Sequence, residues 1–272
     1  MTTQDCRETT DSKRPGLPSP KLIWRGCQPH FFGLHGFTGG PGDYSELAKC
    51  LGHHFTASHL LGHGPLAKAG PTAFEIDAYA NFIVEAADSS TVLIGYSMGA
   101  RVAIDTLVRK KHRPKALVLI SGTAGISAPA EREARYQKDI ALAHQLTELG
   151  VDEFLKLWNQ TPLISTQSNA SVELQKRMSS IRKKHTAVGL AYALKTLSPG
   201  RLPSRWNELH QLTLPVLLIT GRLDTKYDGL AEKLRKQLPN ATRGVIDTAG
   251  HAPHIEAPGP TANLIRRFVA SL

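Results

Sequence analysis

Short apolar runs alternate with amphipathic stretches along much of the chain. Between the runs, apolar residues recur at helical spacing over residues 43–51, 74–87 and 227–238. Strands that alternate with helices indicate a parallel sheet with right-handed crossovers, which is an α/β fold. The apolar runs, short enough to be buried strands, lie at 31–34, 55–60, 91–94, 116–120, 215–220 and 243–246, and a last helix is predicted at 261–272.

The alternation breaks in the middle of the chain, where four helical patterns follow one another without a strand. They lie at 131–149, 151–158, 171–184 and 186–197. A helical run inserted into a strand–helix series indicates a lid over residues 123–207. The core is then expected to comprise residues 22–122 and 208–272. Residues 1–21 are polar, contain three prolines and are predicted to be a disordered tail.

The stretch TVLIGYSMGA, residues 91–100, carries the first chemical signal. A β-branched strand ends at Gly95, and Ser97 stands between that glycine and Gly99. The spacing permits a very sharp strand-to-helix turn that exposes the serine hydroxyl, which is the pattern of a nucleophile elbow. An ordinary glycine-flanked turn is the alternative.

A second strand end carries a glycine-rich loop, His35–Gly42, with the sequence HGFTGGPG. A loop in this place supplies half of the oxyanion hole in α/β-hydrolases. The backbone N–H groups of Phe37 and Met98 are the candidate donors to a developing oxyanion. A flexible hairpin loop is the alternative at this position.

Two later strand ends deliver Asp224 and His251. Together with Ser97 they emerge at one edge of the predicted sheet in the order Ser, Asp, His, which the α/β-hydrolase architecture requires. Asp224 would orient His251, and His251 would take the proton of Ser97. Taken singly, Asp224 could be a turn former and His251 a loop histidine. His63 and His254 are expected to be structural.

The composition argues against several classes of function. The formal charge of +10 includes two basic runs, but these lack interleaved aromatic residues, so a solvated face is favoured over nucleic-acid binding. The three cysteines have no paired spacing, which argues against a zinc site or a disulfide framework. We expect a cytoplasmic, soluble monomer or weak homo-oligomer without membrane contact, metal or cofactor, and an anionic small-molecule substrate.

Five blocks resemble the 2-succinyl-6-hydroxy-2,4-cyclohexadiene-1-carboxylate synthases of menaquinone biosynthesis. The resemblance covers nearly everything after residue 30. The arginine after the elbow and the W-x-Q-x-P and D-x-K-[FY] patterns are more particular to that family than the rest. The blocks are LHGFTG (34–39), GYSMGAR (95–101), LWNQTPL (157–163), GRLDTKY (221–227) and AGHAPHIE (249–256).

The resemblance implies a lyase that eliminates pyruvate, with Ser97 acting as a base and the oxyanion hole stabilising an enolate. It further implies that three arginines bind substrate carboxylates and that two aromatic residues line the pocket: Arg101, Arg135 and Arg182, with Tyr96 and Trp158. The sequence departs from the family at Ala100, at Asn159, at Ser58-His59 and in the basic segment 183–186. A hydrolase of carboxylic esters or carbon–carbon bonds is the alternative, and a ligand-binding protein without activity is a third.

Overall fold

A computed structural model describes residues 20–68 and 73–272 of the chain. In this part a sheet of seven strands has the order β1-β3-β2-β4-β5-β6-β7, in which β1 is antiparallel to β3 and every other pair is parallel. The strands are β1 (Lys21–Trp24), β2 (Cys27–Leu34), β3 (His53–Ser58), β4 (Thr91–Tyr96), β5 (Ala116–Ile120), β6 (Val216–Gly221) and β7 (Ala241–Ile246).

Helices cover both faces of the sheet, as a parallel sheet requires for burial of its two apolar faces. One core cluster contains residues of α2, α3 and α8, and a second contains residues of α1, α9 and α10. The helices are α1 (Ser45–Leu51), α2 (Ala73–Ala86), α3 (Met98–Lys110), α4 (Pro129–Asn159), α5 (Pro162–Ser165), α6 (Val172–Arg182), α7 (Ala187–Leu197), α8 (Thr225–Gln237), α9 (Pro253–Glu256) and α10 (Pro258–Ala270).

The strand register brings the functional loops to one edge. Leu34 pairs with Gly95, Tyr96 with Ile120, and Gly221 with Ile246, so the carboxyl ends of these parallel strands lie side by side. All six residues of β4 are buried, in keeping with the unbroken apolar run that predicted it. The loops after β2, β4, β6 and β7 therefore open on the same side of the sheet.

Helices α4 to α7 interrupt the sheet between β5 and β6, and we call them the lid segment. Helix α4 contains a break at Gly150, whose φ of 75° is left-handed, between the two helices that the sequence predicts there. Helices α4 and α7 pack together around Leu146, Phe154 and Leu190. In the described residues no helix combines the length and the apolar character needed to cross a bilayer.

Strand β1 and the first half of β2 are not anticipated by the hydrophobic pattern. β1 begins at Lys21, inside the range predicted as a tail, and β2 begins at Cys27, four residues before the predicted run. Both segments are largely exposed, so they lack the buried apolar run on which the prediction depended. Residues 1–19 of the predicted tail lie outside the described residues.

Candidate active site

Ser97 occupies a strained turn between β4 and α3. Its φ of 50° and ψ of −104° lie outside the regions that ordinary residues adopt, and its amide donates to the carbonyl of Ile120 at 2.9 Å. A Cβ on Gly95 would lie 2.6 Å from the Ala100 Cα, and one on Gly99 would lie 2.1 Å from the Leu34 carbonyl oxygen. The two glycines are therefore required by close backbone approach.

Ser97, His251 and Asp224 come together in one hydrogen-bonded chain. The Ser97 Oγ lies 2.9 Å from the His251 Nε2, and the His251 Nδ1 lies 2.6 Å from the Asp224 Oδ2. His251 is 1% exposed and Asp224 is 8% exposed, so the bond between them is buried, whereas the bond to Ser97 is only partly buried. The second Asp224 oxygen accepts the Tyr227 amide at 3.1 Å and caps α8. In this arrangement His251 can accept the serine proton while Asp224 fixes its tautomer.

Glu256 holds the loop that carries His251. One carboxylate oxygen accepts the Gly250 amide at 2.7 Å, and the other accepts the Ala252 amide at 2.9 Å. The amides on both sides of the histidine are thus fixed by a single side chain. The Thr166 hydroxyl of the lid segment also donates to Glu256 at 3.2 Å, which links the lid to the histidine loop.

The loop of residues 35–40, here called the oxyanion loop, lies beside the elbow. The Gly36 carbonyl accepts the Gly39 amide at 3.1 Å and the His35 Nδ1–H at 2.8 Å. In a trans peptide the N–H points away from the carbonyl, so these bonds orient the Phe37 N–H. Met98 is the first residue of α3, and its amide has no carbonyl partner within the helix. Both predicted donors therefore lie on segments that flank Ser97.

Arg101 is buried one turn beyond Ser97, although an arginine on a helix is usually exposed. It is 8% exposed, and its Nη2 donates to the Leu197 carbonyl at 3.4 Å. Its Nε has no hydrogen-bond partner among the described residues. Burial lowers the pKa of Arg101, and the charge of Arg135 lowers it further. A buried cation with an unused donor is suited to bind an anion.

Arg135 comes from α4 and pairs with Asp139, to which its Nε donates at 3.0 Å. Asp139 also accepts the Ser198 hydroxyl at 2.6 Å. Asp139 pairs directly with Arg135, and its charge also opposes the lowering of the Arg101 pKa.

Arg182 comes from α6 at the end of the lid segment. It donates to the Asn159 Oδ1 at 2.9 Å and also to the Gln167 Oε1, both of which are neutral acceptors. Burial lowers the pKa of Arg182, while the charge of Asp43 opposes that lowering. The Asp43 carboxyl is itself buried, which raises its pKa to about 6. Among the described residues Arg182 forms no ion pair, so its charge also remains available.

The two predicted aromatic residues contact different parts of the site. Tyr96 is 5% exposed, and its ring centroid lies 5.4 Å from that of His251. The Trp158 ring lies 5.3 Å from the ring of Phe37, and its Nε1–H has no partner among the described residues. Gln167 of the lid segment donates to the Tyr96 hydroxyl at 3.4 Å. Tyr96 thus lies beside the triad histidine, and Trp158 lies beside Phe37 of the oxyanion loop.

An open cleft of about 390 Å³ leads toward the triad from outside. It is bounded by the lid around α5 and by the loops that carry the acidic and basic triad members: Thr161, Pro162, Leu163, Thr166, Leu223, Asp224, Thr225, Lys226, Gly250 and His251. Within the described residues no cluster of three or more histidine, cysteine, aspartate or glutamate side chains is arranged to hold a metal ion.

Sequence reasoning missed Glu256, Gln167 and His185. Glu256 lies in a quoted block, yet its bonds go to backbone amides that only the folded loop brings near it. Gln167 lies in a short 3-10 turn after α5, where no periodicity marks it. His185 was noted only for the charge of its segment, whereas the structure buries it against the oxyanion loop.

The mostly parallel sheet and the hydrogen-bonded chain of serine, histidine and aspartate are the features of an α/β-hydrolase. Comparison with known protein families gives the same class. The model described as the Alpha/beta hydrolase family covers residues 31–264. The chain therefore belongs to the α/β-hydrolase family, and the predicted fold class is confirmed.

Particular relatives narrow the comparison within that family. The chain is 32% identical over 250 residues to the putative 2-succinyl-6-hydroxy-2,4-cyclohexadiene-1-carboxylate synthase of Bacillus subtilis (strain 168), covering 88% of this chain and 89% of that protein. The structure of MenH from S. aureus superposes with a TM-score of 0.81 at 26% identity, covering 92% of this chain and 96% of that one. The resemblance to these synthases is confirmed.

A malate-bound esterase from Thermogutta terrifontis has a TM-score of 0.71 at 20% identity, covering 93% of each chain, and it shares the fold alone.

Proposed function

We propose that this chain eliminates pyruvate from 2-succinyl-5-enolpyruvyl-6-hydroxy-3-cyclohexene-1-carboxylate, giving 2-succinyl-6-hydroxy-2,4-cyclohexadiene-1-carboxylate for menaquinone biosynthesis. The similarity to a synthase of that name over 88% of the chain supports this reaction. The substrate is a small molecule with several carboxylates, so the site must combine a base with fixed positive charge.

Ser97 is the base in this proposal. Its hydroxyl lies 2.9 Å from the His251 Nε2, so it can pass its own proton to the imidazole while it accepts a proton from carbon. The proton removed is the one on the ring carbon next to the succinyl ketone. Asp224 stabilises the resulting imidazolium through the 2.6 Å bond to Nδ1.

The electrons of that carbon–hydrogen bond move onto the ketone oxygen and form an enolate. The amides of Phe37 and Met98 are proposed to donate to this oxygen, where charge develops. When the ketone re-forms, a new double bond forms between the deprotonated ring carbon and its ring neighbour. The original ring double bond shifts by one position, and the carbon–oxygen bond to the enolpyruvyl group breaks. The departing enolate of pyruvate takes up the proton that the His251 imidazolium holds and becomes pyruvate, which returns Ser97 and His251 to their starting state. No water is consumed and no acyl-serine forms.

Arg101, Arg135 and Arg182 are proposed to bind the carboxylates, with Tyr96 and Trp158 bordering the ring. The observation that carries the proposal is the buried Arg101, whose Nε is unpartnered among the described residues and which follows the triad serine by one helical turn. A hydrolase of neutral esters has no need for a buried cation at that place. A carboxylate bound there would recover the desolvation cost of the guanidinium.

The test measures pyruvate release with a coupled dehydrogenase, beside hydrolysis of short-chain aryl esters. Arg101→Gln is compared with Arg109→Gln, a matched change two turns along α3, and with Ser97→Ala. A lost charge-assisted bond of about 2–3 kcal/mol predicts a roughly 30- to 150-fold fall in kcat/KM for Arg101→Gln. Arg109→Gln should match the wild type, and Ser97→Ala should lose activity because it removes the base. Full activity of Arg101→Gln, or ester cleavage faster than pyruvate release in the wild type, would overturn the proposal.

A further inference from the structure

Two histidine side chains hold the Thr38 backbone at the oxyanion loop. The Thr38 amide donates to the His63 Nε2 at 3.2 Å, and the Thr38 carbonyl accepts the His185 Nε2–H at 3.1 Å. Thr38 has a φ of 63°, a left-handed conformation that is unfavourable for a β-branched residue. Such a residue stays in place only where its surroundings fix it. The two imidazoles therefore hold this turn from both sides.

His185 belongs to the lid, whereas His63 belongs to the core. His185 lies between α6 and α7, and its ring bonds to Thr38, which lies 147 residues earlier in the chain. Its Nδ1 accepts the Gly64 amide at 3.2 Å, so the ring must carry its proton on Nε2, the atom facing Thr38. The ring is 6% exposed and meets His63 edge to face at 5.2 Å. One lid residue thus joins two core loops through their backbones.

Both rings are suited to these roles only when they are neutral. The His63 Nε2 accepts the Thr38 amide while its Nδ1–H donates to the Leu61 carbonyl at 3.1 Å. Burial lowers the pKa of His63 to about 3, and the nearby His185 adds to the lowering. Burial also lowers the pKa of His185, with a further contribution from Arg182. The neutral forms therefore persist at ordinary pH.

The Thr38 turn lies next to the proposed oxyanion donor. The Phe37 N–H belongs to the Gly36–Phe37 peptide, and the following peptide carries the Thr38 N–H that His63 accepts. A rotation of the Thr38 turn would change the dihedral angles on either side of Phe37 and swing its N–H away from Ser97. An error of about 1 Å in such a donor can cost about 100-fold in rate.

We propose that His185 is a positioning residue through which the docked lid holds the oxyanion loop in its productive conformation. The inference rests on the proposed function, because it assigns the Phe37 N–H to the enolate oxygen. It makes the lid part of the machinery that stabilises the transition state, in addition to its part in binding carboxylates. Loss of His185 should therefore lower kcat more than it raises KM.

The test compares His185→Leu with His185→Gln and with His144→Leu, an exposed histidine of the same lid. The glutamine Nε2 can occupy the place of the imidazole Nε2 and donate to Thr38, so it should restore activity. We expect kcat for pyruvate release to fall at least tenfold in His185→Leu, toward the roughly 100-fold loss of one oxyanion donor. KM should stay within about twofold, and His144→Leu should match the wild type.

Unchanged kcat in folded His185→Leu, or equal losses in the leucine and glutamine variants, would overturn the proposal. If His185→Leu does not fold, NMR of ¹⁵N-histidine-labelled wild type decides the question. A slowly exchanging Nε2–H on His185 is expected, and a ring protonated at Nδ1 would refute the assignment. If the wild type releases no pyruvate, the proposed function fails, while the NMR result still tests the hydrogen bond.

Discussion

Buried histidines should make this fold sensitive to mild acid. His63 and His254 are both fully buried, and burial lowers the pKa of each to about 3 from an ordinary value of 6.5. Below pH 6.5 these two histidines bind protons in the unfolded chain but stay neutral in the folded chain. The free energy of unfolding therefore falls as the pH falls. The loss continues until the pH reaches the folded-state pKa near 3.

The size of the effect follows from linkage. Between pH 8 and pH 5.5 each of these two histidines removes about 1.4 kcal/mol. Asp43 acts in the opposite direction, because burial raises its pKa from 3.8 to about 6. At pH 5.5 the carboxyl is largely protonated in the folded chain and ionised in the unfolded chain, which raises the free energy of unfolding by about 0.8 kcal/mol. These three groups together contribute a loss of about 2 kcal/mol. His35 and His59, whose pKa burial also lowers, add to that loss.

Replacement of His254 isolates one of these contributions. Neither of its ring nitrogens has a hydrogen-bond partner among the described residues, so His254→Leu removes no bond. Urea unfolding at pH 8 and pH 5.5 should show a pH-dependent loss that is about 1.4 kcal/mol smaller in His254→Leu than in the wild type. His144→Gln, which alters an exposed lid histidine, should leave the loss as it is. Equal losses in wild type and His254→Leu would refute the reasoning.

Two further substitutions test the triad loops. Gly99→Ala places a Cβ about 2.1 Å from the Leu34 carbonyl oxygen, so we expect loss of activity and at least about 3 kcal/mol of destabilisation, read by urea titration. Gly259→Ala, which meets no atom within 4 Å, is its control. Glu256→Gln should lower kcat about tenfold with KM nearly unchanged, because one of the two amide acceptors beside His251 is lost. Steady-state kinetics with unaltered kcat would count against that role.

The elbow and the order of the triad could be predicted because their signals are local. Gly95 and Gly99 are required within a few residues of Ser97, and short apolar runs mark the two strands whose following loops carry Asp224 and His251. Strand β1 could not be predicted, because no local signal marks it. It is an exposed edge strand of four residues, and its partner β3 lies about thirty residues further along the chain.

The polar contacts of the site depend on tertiary structure and could not be predicted in the same way. Arg101 lies on a helix, where an arginine is usually exposed, and its burial and its bond to the Leu197 carbonyl of α7 exist only in the folded chain. The roles of Glu256 and His185 consist of bonds to backbone groups, whose positions a sequence pattern does not give. Hydrophobic periodicity indicates which face of a helix or strand is buried, but it does not indicate which amide a buried polar side chain bonds to.

The lid contacts three segments of the core that the proposed reaction uses. Thr166 bonds to the Glu256 that holds the histidine loop, Gln167 bonds to Tyr96 beside the elbow, and His185 bonds to the Thr38 turn of the oxyanion loop. An esterase shares the core fold, so the fold itself does not select between hydrolysis and elimination. In the proposed function the selection comes from the cations, of which Arg101 belongs to core helix α3 and the others to the lid. The lid adds the cations of Arg135 and Arg182 to that of Arg101, and a substrate with several carboxylates needs such cations.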